Sequence, residues 1–418
     1  MSDLRCAFYG DDVTGSVDAL LQFARHGLNG RLFIGMPADA ALRHAASECA
    51  VVGIAGIARS LDTDDLDAEV RPALTALAAL EPAVVQYKAC STVDSSPRIG
   101  SLGRVLEIGR DIVGAGPVPL LFAQPGFGRY TAFGHHFAAE GGVVHRLDRQ
   151  PTMSTHPSTP MTESDLARHL ARQTALPIGA IPFTAYTDAG ALAARISSSP
   201  DAAVVLDALD DAHLRLIGAA LGRLPRPVFA IGSGGLSTAL ASDRPAADLP
   251  HATAARGPVL VVSGSRSPQT RRQADAAARA GWAVMPLALE PAAVAASVDD
   301  ALRALASGRS VALTSDDVAA DAGADVLAAV AASAAAHVRA AASAGAATRI
   351  VVCGGDTSSR VIRLLGVESL SIAANPWDNV VLLRTHAADA AVDGLEVALK
   401  GGQVGADDLF EQLRTLDR

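Results

Sequence analysis

The chain has 418 residues, half of them apolar, so it is too long for one average hydrophobic core and long enough for two. Its formal charge of -9, without a basic stripe interleaved with aromatic residues, argues against a nucleic-acid surface and favours a small-molecule partner. The four cysteines are widely spaced and form no CxxC pair, which argues against a zinc knuckle or a disulfide framework and favours a reducing cytoplasm.

The sequence predicts neither export nor insertion into a membrane. It enters a strand-like run at Arg5 without the basic and then apolar regions of an export signal. No uninterrupted apolar stretch is expected to reach the length that crosses a bilayer, because the alanine-rich region from Leu327 to Ala344 carries His337 and Arg339. We therefore expect a soluble, cytoplasmic protein with no membrane partner.

Apolar runs typical of strands alternate with helical spacing from Arg5 to about Ala241. This pattern predicts a mostly parallel sheet flanked by helices, and we assign residues 1–241 to a first α/β domain. Within this domain, residues 124–182 have little periodicity and are rich in Gly, His, Thr and Pro. They predict a long excursion, such as a dimer arm or a lid.

A second α/β domain is predicted after a linker. Residues 242–257 lack apolar periodicity and are rich in helix breakers, so we place the linker there. The alternation resumes over residues 258–418, with strands expected near residues 259–262, 283–287, 310–313, 350–353 and 380–383. The sequence thus predicts an α/β protein of two domains, each built on a mostly parallel sheet flanked by helices.

The first polar cluster follows Phe8-Tyr9 and places Asp11, Asp12, Thr14 and Ser16 on one tight turn. Two carboxylates this close repel each other, so one stays protonated longer or both recruit a cation. Either state suits a base that acts on a sugar hydroxyl. The alternative is a helix N-cap with an acidic first turn, in which Thr14 or Asp12 is the cap.

A second cluster follows the strand-like run from Val84 to Tyr87. It combines two basic groups with hydroxyls and a carboxylate, namely Lys88, Ser91, Thr92, Asp94, Ser95 and Arg98. Such groups can hold the carboxylate and hydroxyls of a small polar acid, with Arg98 able to grip the carboxylate bidentately. The alternative is a solvated loop in which Lys88 pairs with a surface acid.

A phosphate site is predicted in the second domain, where a buried strand from Ile350 to Cys353 runs into a glycine pair. Gly354 and Gly355 allow backbone N–H groups to approach an anion at the positive end of the following helix. Thr357 adds a hydroxyl, and Asp356 is the candidate ligand for a phosphate-bound Mg²⁺.

Two further loops are candidates for the nucleotide. One contains Ser263, Gly264, Ser265 and Ser267, and the other contains Gly401, Gly402 and Gly405. The first loop is also ordinary helix-start chemistry, and the second is equally compatible with a flexible tail connection. Neither a Walker A motif nor the dinucleotide GxGxxG pattern is present.

Together these motifs resemble the four-carbon acid sugar kinase family, which uses ATP to phosphorylate tetronates such as threonate, erythronate or their oxo forms. The resemblance covers nearly the whole chain and rests on residues 11–15, 87–97, 156–161, 170–174, 262–265, 354–358 and 399–405. It implies an N-terminal sugar-acid domain and a C-terminal nucleotide domain, with the ligand cleft between them. The chain departs from many relatives at Gly10 and over Ser16-Val17-Asp18, beside the expected acid pocket.

With this resemblance in view, we predict a role for each cluster. Asp12 would orient or deprotonate the attacking hydroxyl with help from Asp11, and Lys88 with Arg98 would neutralise the substrate carboxylate. The second-domain glycines and Thr357 would hold the phosphates of ATP. Two other classes stay open: a non-catalytic sensor of a sugar acid or nucleotide, and an aldolase or dehydratase acting on the same acids without ATP. A homodimer is a further expectation.

Overall fold

The structure, a computed structural model, describes residues 4–315, 324–377 and 380–416. It divides the chain into two compact units, Met1–Asp248 and Leu249–Arg418, which we call unit 1 and unit 2. The division falls inside the segment predicted to be the linker. Both units combine strands and helices, which confirms the predicted α/β class.

The strands of unit 1 account for its parallel sheet and for one smaller sheet. In chain order they are β1 (Cys6–Gly10), β2 (Gly30–Ile34), β3 (Val51–Ala55), β4 (Val84–Lys88), β5 (Val118–Leu121), β6 (Arg129–Ala132), β7 (His135–Glu140), β8 (Val143–Arg146), β9 (Ile178–Ile181), β10 (Ala203–Leu206) and β11 (Val228–Gly232). The parallel sheet has the order β2-β3-β1-β4-β11-β5-β10-β9. Strands β1, β3, β4 and β11 are buried at every position, and all but β4, which carries Gln86 and Lys88, read as continuous apolar runs.

The helices of unit 1 begin, in most cases, at side chains that cap them. They are α1 (Val13–Ala24), α2 (Asp39–Glu48), α3 (Leu66–Ala78), α4 (Leu102–Val113), α5 (Pro151–Ser154), α6 (Leu166–Leu170), α7 (Ala189–Ser197), α8 (Asp211–Leu221) and α9 (Gly234–Ala241). Short 3₁₀ turns are η1 (Ala58–Ser60), η2 (Pro125–Phe127), η3 (Leu147–Arg149) and η4 (Phe183–Ala185). Aspartate or serine side chains accept first-turn N–H groups at the starts of α1, α4, α6, α7, α8 and α9.

The predicted excursion over residues 124–182 contains regular structure. Strands β6, β7 and β8 form an antiparallel sheet, and α5 and α6 follow it. The last strand of the range, β9, belongs to the parallel sheet, where it pairs with β10. Sequence periodicity missed these strands because they are short and only partly buried.

Unit 2 is built on one sheet of mixed direction. Its strands are β12 (Val259–Ser263), β13 (Ala283–Pro286), β14 (Val311–Thr314), β15 (Arg349–Cys353), β16 (Val367–Trp377), β17 (Val380–Ala387) and β18 (Glu396–Lys400), in the order β13-β14-β12-β15-β18-β17-β16. The pairs from β13 to β18 are parallel, and β17 runs antiparallel to both of its neighbours. All five predicted strands are present, whereas β16 and β18 were not predicted.

The helices of unit 2 are α10 (Pro268–Arg279), α11 (Pro291–Ala306), α12 (Ala324–Ser343), α13 (Gly355–Leu364) and α14 (Leu409–Thr415). Within α12, Val326–Ser343 has the length and apolar composition of a membrane span, although His337 and Arg339 interrupt its apolar run. However, 44% of this window is buried in the protein. Val330, Ala334 and Val338 lie in the interior of unit 2, as in the core helix of a globular domain.

Candidate active site

The carboxyl-terminal edge of the unit 1 sheet is set by strands that end in register. Gly10 of β1 pairs with Ala55 of β3 on one side and with Lys88 of β4 on the other. Gly232 of β11 pairs with Lys88 on its far side. Because these strands are parallel, the segments after them leave the sheet at one edge, which is where ligands bind in open α/β sheets. The clusters predicted after β1 and β4 are therefore neighbours.

An arginine that follows β3 holds both aspartates of the first cluster. The Nη2 and Nε atoms of Arg59 donate to the two carboxylate oxygens of Asp11 at 2.7 and 3.2 Å. The Nη1 atom of Arg59 donates to Oδ2 of Asp12 at 2.8 Å. Because a guanidinium is planar and forked, Arg59 fixes the two carboxylates relative to each other and offsets their repulsion.

The two aspartates differ in accessibility. The side chain of Asp11 is 3% exposed, whereas that of Asp12 is 32% exposed. Burial raises the pKa of Asp11, and the neighbouring Arg59 acts in the opposite direction. The Oδ1 atom of Asp12 accepts the Gly15 N–H at 2.7 Å, so Asp12 is the N-cap of α1. The capping alternative is thus confirmed for Asp12, which is also the aspartate that a ligand can reach.

Lys88 is buried beside this cluster. It is 2% exposed, and its Nζ atom donates to the backbone oxygen of Ala89 at 2.9 Å. A Cβ atom at Gly15 would lie 3.0 Å from the same Nζ atom, so the ammonium group lies against the first turn of α1. This burial contradicts the alternative in which Lys88 is a solvated residue paired with a surface acid.

The loop after β4 is bonded internally. Thr92 Oγ1 donates to Oδ1 of Asp94 at 2.8 Å and lies 3.0 Å from the Cys90 sulfur. Val93, between them, is buried and has a φ of +56°. A β-branched residue in the left-handed region is strained, and such strain persists only where the surroundings impose it. The loop therefore holds Thr92 and Asp94 in a fixed arrangement.

Ser95 supports this loop from the inside. Its Oγ donates to the Val93 backbone oxygen at 2.9 Å and lies 3.0 Å from Nε2 of His169. Gln173 donates to the same Oγ at 3.0 Å, and its Oε1 accepts the Leu102 N–H at the start of α4. Burial lowers the pKa of His169 to about 4, so its ring is neutral at neutral pH. The structure thus places Ser95, predicted to bind substrate, in a buried network.

A second buried histidine joins the antiparallel sheet to the same loop. Nε2 of His136 lies 2.8 Å from the Ser91 backbone oxygen, and Nδ1 lies 2.9 Å from Thr131 Oγ1. A carbonyl oxygen only accepts, so Nε2 carries the proton and Nδ1 accepts from the threonine hydroxyl. Burial lowers the pKa of His136 to about 4. The segment predicted as a lid or dimer arm is therefore bonded to the loop after β4.

Two other predicted substrate residues occupy different surroundings. Ser16 is fully buried in α1, and its Oγ donates to the Asp12 backbone oxygen at 2.5 Å. A Cβ atom at position 10 would lie 1.9 Å from that Oγ, which explains the glycine there. Arg98 is exposed, and its backbone oxygen accepts a hydrogen bond from Thr63. The structure brings Lys88 and Arg59 next to the aspartates.

Sequence reasoning missed Arg59. A signal is present, because the apolar run of β3 ends at Gly56 and the arginine follows in the next turn. This junction has the same form as those after β1 and β4, but its polar content is one isolated charge. His169 was also missed, and Gln173 was noted only within the family motif at residues 170–174, since nothing local to them indicates a contact with Ser95.

The strands of unit 2 also end in register. Ser263 of β12 pairs with Cys353 of β15, and Cys353 pairs with Lys400 of β18. These strands are parallel, so the three glycine-containing loops predicted for the nucleotide follow them at one edge. Helices α10 and α13 begin after the first two loops, which places two helix N-termini at this edge.

The C-terminal glycine loop, which begins at Gly401, is bonded to the first turn of α10. Ser267 Oγ and Thr270 Oγ1 donate to the Gly402 backbone oxygen at 2.5 and 2.9 Å. Gln269 donates to the Gly405 backbone oxygen at 2.8 Å. These bonds contradict the alternative of a flexible tail connection.

Glycine is required at two of the predicted positions, at one by the backbone conformation and at the other by a close approach. Gly354 has a φ of +108°, which residues with a side chain rarely adopt. A Cβ atom at Gly264 would lie 2.1 Å from Thr357 Oγ1, so the loop containing Ser265 passes directly over the first turn of α13. Thr357 is buried and Gly355 is exposed. The structure therefore brings the three predicted nucleotide loops together.

The predicted metal ligand is Asp356, whose side chain lies outside the described part of the structure. Within the described residues, no group of three or more His, Cys, Asp or Glu side chains could hold a metal ion. Mg²⁺ commonly takes only one or two carboxylates together with phosphate oxygens and water. The assignment of Asp356 stays a prediction.

Two family models match this chain, one within each unit. Residues 6–240 match a family model described as a sugar-binding N-terminal domain, and residues 260–410 match one described as a nucleotide-binding C-terminal domain. A crystal structure of a Salmonella typhimurium LT2 protein has the same fold, with a TM-score of 0.80 and 24% identity over 98% of each chain.

Two curated relatives align with nearly the whole chain. One is the 3-oxo-isoapionate kinase of Paraburkholderia graminis, at 37% identity over 98% of this chain and 94% of the relative. Another is the 3-oxo-tetronate kinase of Pseudomonas fluorescens, at 30% identity over 96% of this chain and 94% of the relative. With matches over both units and at this identity, the chain belongs to the four-carbon acid sugar kinase family.

Proposed function

We propose that this protein is an ATP-dependent kinase that phosphorylates a hydroxyl group of a small sugar acid, with a 3-oxo acid of the tetronate type as the expected substrate. The names of the two relatives, a 3-oxo-isoapionate kinase and a 3-oxo-tetronate kinase, support this substrate class. The observation that carries the proposal is the accessible carboxylate of Asp12, held at a sheet edge beside Arg59 and Lys88.

In unit 1, Asp12 orients or deprotonates the attacking hydroxyl, since it is the exposed member of the acid pair. Asp11 assists by holding Arg59, to which it is bonded through both carboxylate oxygens. Lys88 attracts the substrate carboxylate. It is a cation at the same sheet edge, and no described contact pairs it directly with an aspartate. Thr92 and Asp94 are available to the substrate hydroxyls.

In unit 2, the backbone N–H groups at Gly354 and Gly355 and the hydroxyl of Thr357 hold the phosphates of ATP. The converging loops and helix N-termini suit a phosphate group chemically. Asp356 would be the protein ligand of a phosphate-bound Mg²⁺, which would neutralise charge on the phosphates. Phosphoryl transfer depends mainly on positioning and charge stabilisation, so backbone-rich loops without a nucleophilic side chain are sufficient.

A substrate panel tests this proposal. Purified protein is incubated with Mg·ATP and each of threonate, erythronate, 3-oxo-tetronate and 3-oxo-isoapionate, and ADP release is followed. We expect ADP release that depends on a 3-oxo acid. Ligand binding without ADP release would instead identify a sensor, and loss of the acid without ATP would identify an aldolase or dehydratase.

We also propose a cytoplasmic location and a homodimer. The four cysteines are free, which suits a reducing compartment. Light scattering on the purified protein tests the dimer, for which the measured mass should be twice that of one chain.

A further inference from the structure

The chain uses lysine at only two of its 35 basic positions, Lys88 and Lys400, and arginine at the others. Both lysines are the last residues of strands, β4 in unit 1 and β18 in unit 2. Both are buried, at 2% and 4% exposure. Lysine is almost never buried unless it is paired, because its ammonium group is strongly hydrated in water. Each of these two buried ammonium groups therefore requires a partner that compensates its charge.

Lys400 lacks a negatively charged partner within the described structure. Its Nζ atom donates to Thr270 Oγ1 at 3.0 Å, and no described carboxylate forms an ion pair with it. The Thr270 hydroxyl is neutral and donates onward to the Gly402 backbone oxygen. Cys353, whose strand pairs with β18, is also neutral, since burial raises the pKa of its thiol to about 11.

The groups around this ammonium add positive potential. Thr270 lies in the first turn of α10, so Nζ lies close to the N-terminal end of that helix. The Gly354 N–H donates to the Lys400 backbone oxygen, so the start of α13 lies beside the main chain at the end of β18. Helix N-termini carry partial positive charge and do not compensate a cation. An anion is the ligand that this arrangement lacks.

We infer that Lys400 binds the phosphate groups of the nucleotide in unit 2. An ammonium group has three N–H donors, and Thr270 accepts one of them, so the others are available to phosphate oxygens. Lysine serves as a point charge in phosphate sites, as it does in P-loops, although this chain has no Walker A motif. The inference rests on the proposed function. It adds Lys400 to the residues expected to bind ATP, a role that the sequence alone had not indicated.

Calorimetric titration of Lys400→Met with adenosine, ADP and ATP tests the inference. We expect affinity for ADP and ATP to fall about 10- to 100-fold, the usual loss for a hydrogen bond to a charged group, while adenosine affinity stays unchanged. Arg279→Met is the matched control. Arg279 is exposed in the last turn of α10, the helix that contains Thr270, and its loss changes the net charge equally. This control should bind all three ligands as the wild type does.

If the Lys400→Met variant fails to fold, a measurement on the wild-type protein tests the same inference. Burial lowers the pKa of Lys400, and a bound phosphate would raise it again. ADP binding should therefore take up protons at alkaline pH below the ordinary lysine pKa of 10.5, which titration in buffers of different ionisation enthalpy detects, and adenosine binding should not. In this range the Cys353 thiol stays largely protonated.

The outcomes separate this inference from the proposed function. A wild type that binds no adenine nucleotide overturns both. A wild type that binds ADP, with a folded Lys400→Met variant of equal ADP affinity, overturns the inference alone. Equal losses for adenosine and ADP also overturn it, because a phosphate contact cannot weaken adenosine. If the variant does not fold, a wild type that binds ADP without proton uptake likewise overturns the inference alone.

Discussion

Replacing Asp12 with asparagine separates the two roles of this residue. Asparagine keeps the Oδ1 atom that accepts the Gly15 N–H, and it caps helices as well as aspartate does. It replaces the Oδ2 atom, which accepts from Arg59, with an NH₂ group that only donates. It also cannot take a proton from a hydroxyl. The variant therefore removes the proposed base and leaves the helix cap in place.

The expected losses differ in size. The hydrogen bond to Arg59 is charge-assisted, and such bonds contribute about 1.5 to 3 kcal/mol at most. Because the Asp12 side chain is 32% exposed, solvent screening reduces this figure, and we expect a stability loss of about 1 kcal/mol. Loss of a general base costs about 10²- to 10⁴-fold in kcat, or about 3 to 5 kcal/mol. Turnover should therefore fall far more than the folded fraction.

The assay is substrate-dependent ADP release, with thermal unfolding of the same samples and nucleotide affinity by calorimetry. Asp188→Asn is the matched control, because Asp188 is an exposed N-cap in unit 1 whose Oδ1 accepts the Ala191 N–H at 2.9 Å. The control should keep wild-type turnover, and Asp12→Asn should keep wild-type nucleotide affinity. A kcat for Asp12→Asn within about tenfold of wild type would refute the assignment of Asp12 as the base.

Three further outcomes are expected. Arg59→Met leaves the buried partner carboxylate unpaired, so urea unfolding should show a loss of about 3 kcal/mol, and an unchanged midpoint would contradict the pairing. His136 and His169 have pKa values near 4 when folded, against an ordinary 6.5, so stability should be full above pH 6.5 and fall towards pH 4. Each histidine contributes about 3 kcal/mol to that fall, and unfolding curves that coincide at about pH 7 and pH 4.5 would exclude it. Gly264→Ala should weaken ADP binding, because its Cβ meets a threonine oxygen at 2.1 Å, whereas Gly257→Ala, with open space around it, should not.

Much of the fold could be predicted because strand ends leave a mark in the sequence. Fully buried runs such as β1, β4, β12 and β15 stop at glycine or polar residues, and the structure has strands at all four places. Strands β9 and β18 left weaker marks. β9 is short and only partly buried, and β18 is short and begins and ends with a charge. Sequence periodicity needs longer or more uniform runs than these.

The site was less predictable because its contacts depend on strand order. Arg59 is 48 residues from Asp11 in sequence, and the two meet because β3 lies beside β1 in the sheet. Strand order and register are properties of the folded sheet, and local spacing does not encode them. The same limit explains why Arg98 was preferred as the carboxylate ligand. It stands near Lys88 in sequence, whereas the structure brings Arg59 to the cluster.

The two units place a buried lysine at a strand end, but with opposite charge surroundings. In unit 1 two aspartates, Arg59 and Lys88 lie close together, so their formal charges balance. In unit 2 the described contacts of Lys400 are neutral, and the N-terminus of α10 adds to its charge, which suits a polyphosphate. Salt screens attraction to a net charge more than hydrogen bonding within a balanced cluster. Nucleotide affinity should therefore fall more steeply with ionic strength than sugar-acid affinity, and equal slopes in calorimetric titrations would show that the charge of Lys400 is compensated elsewhere.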